Sequence, residues 1–104
     1  MFPPGHVTLV GGSGAHEGNV YMDGLPVCDS NWDAKDGEIV CNQLYFAKLG
    51  EIKTGSHFGV STAGFVMGNT KCVGNERELI DCPHEKAELC GPNNVAGVVC
   101  REGT

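Results

Sequence analysis

Six cysteines in a chain of 104 residues limit its possible folds more than any other sequence feature. The number is even, and a chain of this length buries only a thin core, so cross-links are the expected means of stabilising it. Sixteen glycines also indicate a loop-rich fold. We therefore expect disulfides formed in an oxidising, extracellular compartment. Six cysteines allow fifteen pairings, and their spacing alone does not choose among them.

Metal binding is the alternative use of these cysteines. Cys72, Cys82, His84 and Cys90 together offer four nitrogen or sulfur ligands, as a zinc ion requires. No Cys-x-x-Cys knuckle occurs in the chain, which favours disulfides over zinc. Nothing marks one cysteine as unpaired, and no histidine has a neighbouring Ser-Asp pattern, so we predict no catalytic residue and no enzymatic activity.

The charge of the chain restricts the classes of partner. A net charge of -6, with seven basic residues scattered along the sequence, argues against nucleic acid and against a general polyanion binder. No apolar stretch reaches the length of a membrane span, and the first residues do not form a signal peptide. We expect a domain from a longer secreted or membrane-anchored protein with Met1 added for expression. Residues 1–6 are read as a linker, 7–101 as one domain and 102–104 as a tail.

The strongest helix signal lies in residues 31–44. Asp33 and Asp36 have the spacing of a capping box, and acidic residues in the first turn complement the helix dipole. The residues that follow place an apolar face toward a core, with a cysteine in its middle: Val40, Cys41 and Leu44. Trp32, just before the helix, is expected in the core.

Alternating and turn-forming residues predict the strands. Residues 7–10 alternate as a half-buried strand, and Gly11-Gly12-Ser13-Gly14 is read as a flexible turn, since it lacks the lysine of a P-loop. Asp23-Gly24 predicts a hairpin between residues 19–22 and 25–28, with Pro26 at an edge. The remaining expectations are a loop with a short strand in 45–55, strands at 57–59 and 64–67, a short helical turn before Cys82, and a buried closing strand at 95–100.

Several motifs follow one another in the chain: Val7-Thr8-Leu9-Val10-Gly11-Gly12, Val27-Cys28-Asp29 before Trp32-Asp33, Ile39-Val40-Cys41-Asn42-Gln43-Leu44, Phe58-Gly59, Cys72-Val73-Gly74-Asn75-Glu76, Asp81-Cys82-Pro83-His84 and Val95-Ala96-Gly97-Val98-Val99-Cys100. In this order they resemble one known family, the scavenger receptor cysteine-rich domains. The resemblance spans nearly the whole chain. It implies an α+β fold in which a curved antiparallel sheet cradles one main helix.

The resemblance also implies a pairing of the cysteines. The additional pair of the eight-cysteine group would fall at His16 and Phe46, so the chain is similar to the six-cysteine group A. The implied bonds are Cys28–Cys90, Cys41–Cys100 and Cys72–Cys82. Two departures from the family pattern stand out. The segment Leu25-Pro26-Val27 is two residues shorter than the usual run and has no tryptophan, and Val66 replaces another family tryptophan.

Calcium-binding members of the family imply a candidate cation site. Its matching positions are Asp29, Ser30 and Glu76, and a second position falls on Gly68 and Asn69. Ser30 and Gly68 lack the carboxylates of the family pattern, and Asn69 and Asn75 offer only carbonyl oxygens, so we expect weak calcium binding at most. The alternative is that Asp29 and Glu76 are turn residues hydrogen-bonded to nearby backbone N–H groups.

The function implied by the resemblance is that of a non-catalytic extracellular binding module in a receptor or secreted mosaic protein. Its expected ligands are proteins, microbial surfaces or modified macromolecules, with calcium as a weak cofactor. A substrate-steering accessory domain of a multidomain protease or amine oxidase is one alternative, and a structural spacer is another. The loop Glu85-Lys86-Ala87-Glu88 is read as a solvated face.

Overall fold

The computed structural model describes residues 4–87 and 89–102, so Glu88 and the outer parts of the expected linker and tail, residues 1–3 and 103–104, lie outside it. The described part is an α+β fold with five antiparallel strands and one α-helix. The elements in chain order are β1 (Val7–Gly11), β2 (Glu17–Met22), β3 (Leu25–Pro26), α1 (Ala34–Gln43), β4 (Lys48–Lys53), a 3-10 turn (Leu79–Asp81) and β5 (Gly97–Arg101). The sheet order is β1-β2-β5-β4, and β3 pairs with β2. The fold class implied by the sequence is confirmed.

The helix begins where the capping box predicts. The Asp33 carboxylate accepts the Asp36 N–H at 3.1 Å, and the Asp36 carboxylate accepts the Asp33 N–H at 2.9 Å. Gly37 lies where α1 crosses β4, and a Cβ atom there would lie 2.8 Å from Ile52 Cγ2 and 3.0 Å from Leu49 Cδ1. The absence of a side chain at this residue therefore permits the close approach of helix and strand.

Three disulfides join the elements in the pairing implied by the resemblance. The bond Cys28–Cys90 closes a separation of 62 residues, Cys41–Cys100 one of 59 and Cys72–Cys82 one of 10. Cys41–Cys100 links the buried face of α1 to β5, and its two Cα atoms lie 5.5 Å apart. The helix is thus covalently attached to the sheet it covers.

The core lies between α1 and the sheet. Val20 and Val98 from the strands, Ile39 and Val40 from the helix, and Leu79 from the 3-10 turn are fully buried. Trp32 is 5% exposed, and its indole N–H donates to the Gly97 carbonyl at 3.1 Å. The prediction that Trp32 belongs to the core is confirmed.

Three of the predicted strand assignments need correction. Residues 57–59 and 64–66 form loops, and Met67 makes only an isolated bridge to Val27. Ser56 and Gly59 have positive φ angles, which turn the chain out of an extended path. The closing strand begins at Gly97, since Val95 pairs only by an isolated bridge to Cys28. The short strand expected within residues 45–55 is present as the six-residue β4. Pairing with distant segments, rather than local pattern, decided these boundaries.

Candidate functional site

One surface cavity collects three of the residues predicted to bind a cation. It has a volume of about 370 Å³ and lies beside the Cys28–Cys90 bridge. Asp29, Ser30 and Asn69 line it, together with Glu85 and Lys86 from the loop that precedes Cys90. We call this the Asp29 cavity. The segment after the first cysteine and the segment before the third meet here because Cys28 N–H donates to the Met67 carbonyl at 2.9 Å.

Asp29 is fixed by backbone groups of two neighbouring loops. Its Oδ2 accepts the Gly55 N–H at 2.6 Å, and its own N–H donates to the Asn94 carbonyl at 2.8 Å. The donor to this carboxylate lies 26 residues along the chain, so the bond joins two distant loops rather than closing a local turn. The other carboxylate oxygen, Oδ1, does not accept the Gly55 N–H. It is therefore available to a ligand in the cavity that Asp29 lines.

Asn69 is the centre of a polar network that crosses the cavity. Its N–H donates to Ser30 Oγ at 2.9 Å, and its side-chain amide donates to Glu85 Oε1 at 2.7 Å. The Asn31 amide donates to Asn69 Oδ1 at 2.6 Å. Both asparagines have left-handed backbone conformations, with φ of 59° at Asn31 and 47° at Asn69. The network holds Glu85 beside the residues that the sequence placed in the site.

Glu76 lies elsewhere. Its carboxylate accepts the Val73 and Gly74 N–H groups, each at about 3 Å, and so closes the turn that follows Cys72. These hydrogen bonds, led by that from Val73, lower the pKa of Glu76. The residue lines a different cavity, of about 660 Å³, together with Gln43 and Tyr45 at the end of α1. The structure therefore brings Asp29, Ser30 and Asn69 together but places Glu76 on another surface.

The other two residues of the predicted set have simpler surroundings. Asn75 is exposed in the turn closed by Glu76. Gly68 is packed between elements, and a Cβ atom there would lie 3.2 Å from both Ser30 Oγ and Ala87 Cβ. Neither adds a charge to the Asp29 cavity.

The zinc alternative loses its ligands in this structure. All six cysteines are in disulfides. Among residues 4–87 and 89–102, the one group of three His, Cys, Asp or Glu side chains with close ligand atoms is Cys72, Glu76 and Cys82, in which the two sulfurs are bonded to each other. His84 Nδ1 lies 2.8 Å from the Cys82 carbonyl, so the ring is hydrogen-bonded within its own turn.

Glu85 lines the Asp29 cavity but was not among the candidate ligands predicted from the sequence. It was read as part of a solvated loop, and it is indeed exposed. However, its backbone pairs with Gly68 in an antiparallel bridge, with N···O distances of 2.9 Å in both directions. No sequence signal identifies a bridge between residues 17 positions apart in irregular segments, so Glu85 could be found only from the fold.

Comparisons with known proteins find a family model and relatives that are similar to this chain over most of its length. Residues 10–101 match the family model described as the scavenger receptor cysteine-rich domain. The chain is 38% identical over 102 residues to a scavenger receptor cysteine-rich domain superfamily protein of Patiria pectinifera, covering 92% of the chain and 9% of that protein. It is 34% identical over 104 residues to lysyl oxidase homolog 3A of Danio rerio, covering 94% of the chain and 14% of that protein. The chain thus spans a small fraction of both relatives.

Solved structures agree with these sequence matches. The third SRCR domain of murine neurotrypsin superposes with a TM-score of 0.81 at 31% identity, covering 95% of this chain and 98% of that one. The SRCR domain of mouse MARCO, crystallised in a dimeric form, gives a TM-score of 0.69 at 28% identity, with coverages of 81% and 85%. Within the described residues, no helix combines the length and apolar character needed to cross a bilayer.

Proposed function

The chain belongs to the scavenger receptor cysteine-rich domain family, and from this membership we propose that it is a non-catalytic, extracellular ligand-binding module of a longer multidomain protein. The observation that carries the proposal is the match of residues 10–101 to the family, together with the small share of each relative that the chain spans. Domains of this family are generally non-catalytic modules. The disulfide bonding of all six cysteines suits an oxidising compartment and leaves no thiol nucleophile.

The proposed ligands are proteins, microbial surfaces or modified macromolecules. The test is to display the domain as a biotinylated tetramer and measure its binding to an immobilised panel of extracellular-matrix proteins, bacterial cells and oxidised lipoprotein. Saturable binding that is lost after reduction of the disulfides supports the proposal, since the reduced chain keeps its charge but not its fold. No binding to any member of the panel, or turnover of a substrate by the isolated domain, contradicts it.

We further propose that weak calcium binding at the Asp29 cavity assists recognition. Calcium binds hard oxygen ligands, and this cavity presents the carboxylates of Asp29 and Glu85 with the oxygens of Ser30 and Asn69. The affinity should be in the range of about 10⁻⁴–10⁻³ M that is usual for extracellular modules with few charged ligands. Glu76, which the family pattern includes, lines another cavity and is the less direct ligand.

Calorimetry with calcium tests this proposal. We expect heat of binding from the wild type, loss of that heat in Asp29→Asn and Glu85→Gln, and its retention in the control Glu51→Gln, which removes an exposed carboxylate on β4. Glu76→Ala separates the two possible locations. If only Glu76→Ala loses the heat of binding, the ion binds at the turn after Cys72 instead of in the Asp29 cavity. If the wild type gives no heat at millimolar calcium, the calcium proposal is wrong.

A second candidate is an accessory domain that steers substrates in a multidomain enzyme. The similarity to lysyl oxidase homolog 3A favours it, because that protein is named as an oxidase homologue and the matched region is 14% of its length. The domains encoded on either side of this chain in its transcript distinguish the two candidates. An adjoining oxidase or protease domain favours steering, and an array of binding domains favours a receptor.

A further inference from the structure

The edge strand β1 lacks the features that keep a sheet edge from pairing with another chain. The path β1-β2-β5-β4 has two edges. At one of them, β4 carries Lys48, Glu51 and Lys53 and has a register shift between Leu49 and Glu51, and both charges and bulges protect an edge. In contrast, β1 reads Val-Thr-Leu-Val-Gly, has no charge or proline, and pairs with β2 without a register shift.

Backbone groups of β1 point away from the sheet at alternate residues. The Asp23 N–H donates to the His6 carbonyl at 2.8 Å, so this pair sets the hydrogen-bonded register between β1 and β2. Hydrogen-bonded and non-hydrogen-bonded pairs alternate in an antiparallel ladder, so Val7 and Leu9 direct their N–H and C=O groups away from β2. In the part of the chain that the structure describes, no strand pairs with that side of β1.

An apolar groove follows this edge on the core side of the sheet. Its volume is about 390 Å³, and its lining residues are Val7, Thr8, Leu9, Ala15, Leu44 and Phe46. Leu9, Leu44 and Phe46 are partly buried and pack against the core. An apolar side chain placed in the groove would therefore extend the existing core rather than cover an isolated patch.

The opposite face of β1 borders a second cavity of about 440 Å³, lined by His6, Thr8, Asp23 and Gly24. The Asp23 carboxylate accepts the Gly5 N–H at 2.9 Å and the His6 N–H at 3.0 Å while the residue stays exposed. In a chain with a net charge of -6, this acidic group favours a basic side chain.

We propose that β1 recruits an extended segment of a partner protein as an additional strand. Side chains of a strand alternate between the two faces of a sheet, so the segment would place apolar residues in the groove beside Leu44 and Phe46 and a basic residue beside Asp23. A second copy of the chain fits less well, because β1 has no basic residue to place beside Asp23 and both copies are acidic. This surface shares no lining residue with the Asp29 cavity, so it does not depend on the calcium proposal.

A synthetic strand tests the inference without identifying the natural partner. The probe is the acetylated, amidated heptapeptide Lys-Val-Lys-Leu-Lys-Val-Thr. If its apolar residues enter the groove, their N–H groups face Val7 and Leu9, and the lysine N–H groups face solvent. N-methylation of the apolar residues should then weaken binding by roughly tenfold or more through loss of hydrogen bonds. N-methylation of the lysines, at the same charge and composition, should leave binding nearly unchanged.

Amide hydrogen exchange followed by NMR gives the second readout. In the free domain the Val7 and Leu9 amides should exchange rapidly, and the probe should protect both, in calcium or in EGTA. Leu9→Pro removes one outward N–H and should abolish the protection of the Val7 amide. Leu9→Ala also loses the side chain but keeps the N–H, so protection of the Val7 amide should be retained. If both N-methylated peptides bind equally well, charge attraction rather than backbone pairing explains the binding, and the proposal is overturned. Protection of Val7 and Leu9 that rises with protein concentration alone would overturn it in favour of a second copy.

Discussion

At the scale of single residues, Asp36 does more than cap the helix. It is fully buried, and besides its bond to Asp33 its Oδ1 accepts the Cys72 N–H at 2.9 Å. The carboxylate therefore links the start of α1 to the segment that carries the third cysteine. Burial raises the pKa of Asp36 to about 6, against the opposing effect of the hydrogen bonds from Cys72 and Asp33. A buried carboxyl group with this pKa makes the stability of the domain depend on pH.

The predicted change is a gain in stability from Asp36 as the pH falls. Because its pKa is about 6 in the folded state and 3.8 for an unperturbed aspartate, the folded state binds the proton more tightly. Its contribution is complete below pH 3.8 and is lost as the pH rises through 6. The free energy of unfolding of the wild type relative to Asp36→Asn should thus increase by about 2 kcal/mol from pH 7.5 to pH 4.5.

Urea unfolding of both proteins at several pH values measures this difference. Taking the difference cancels the carboxylates whose pKa is lowered, such as Glu76, which act in the opposite direction at lower pH. Glu38→Gln is the control, since it removes an exposed carboxylate from the same helix. A difference that is constant with pH would mean that the pKa of Asp36 is the same in the folded and unfolded states.

Thr70 provides a second test at the residue scale. It is fully buried, and its Oγ1 is the one buried side-chain N or O atom among the described residues without a hydrogen-bond partner. Thr70→Val keeps the shape and removes the unpaired hydroxyl, so we expect a stabilisation of about 1 kcal/mol by urea unfolding. Thr70→Ser, which keeps the hydroxyl and removes the methyl, should destabilise. Destabilisation by valine would reveal a partner for the hydroxyl, such as a bound water.

At the scale of the elements, the contact between α1 and β4 depends on Gly37. Alanine is the better helix former by about 1 kcal/mol, but a Cβ here would meet Ile52 and Leu49 at 3.0 Å or less. Overpacking of this kind costs about 1–3 kcal/mol, so we expect Gly37→Ala to lower the melting temperature. Asn42→Ala is the matched control in the same helix, since Asn42 is exposed and gains propensity without a clash. A stabilised Gly37→Ala variant would show that β4 can move away from the helix.

At the scale of the whole molecule, the disulfides should differ in their contribution to stability. In the chain-entropy model, a crosslink contributes more when it closes a longer loop. Replacing both cysteines of Cys41–Cys100 by alanine should cost about 4 kcal/mol, and replacing Cys72–Cys82 about 3 kcal/mol, since these bonds span 59 and 10 residues. Denaturant unfolding of the two double variants measures the order. A larger loss from the shorter loop would indicate that packing around the sulfurs outweighs chain entropy.

Short-range sequence patterns were sufficient to predict the local features of the fold. The Asp33–Asp36 capping box located the helix, because both partners of each hydrogen bond lie within one turn. Asp23-Gly24 located the turn between β2 and β3 for the same reason. The disulfide pairing and the α+β fold also came from the sequence, through ordered motifs that resemble a family rather than through spacing.

The tertiary structure alone decided which distant segments meet. It separated Glu76 from Asp29, placed Glu85 in the Asp29 cavity, and made an edge of β1. Each of these facts depends on pairing between residues far apart in the chain, such as the bridge from Gly68 to Glu85. The order of apolar and polar residues indicates whether a residue faces the core or solvent, but it does not indicate which distant segment lies beside that residue. For that physical reason the candidate ligands could be named from the sequence, whereas their grouping required the fold.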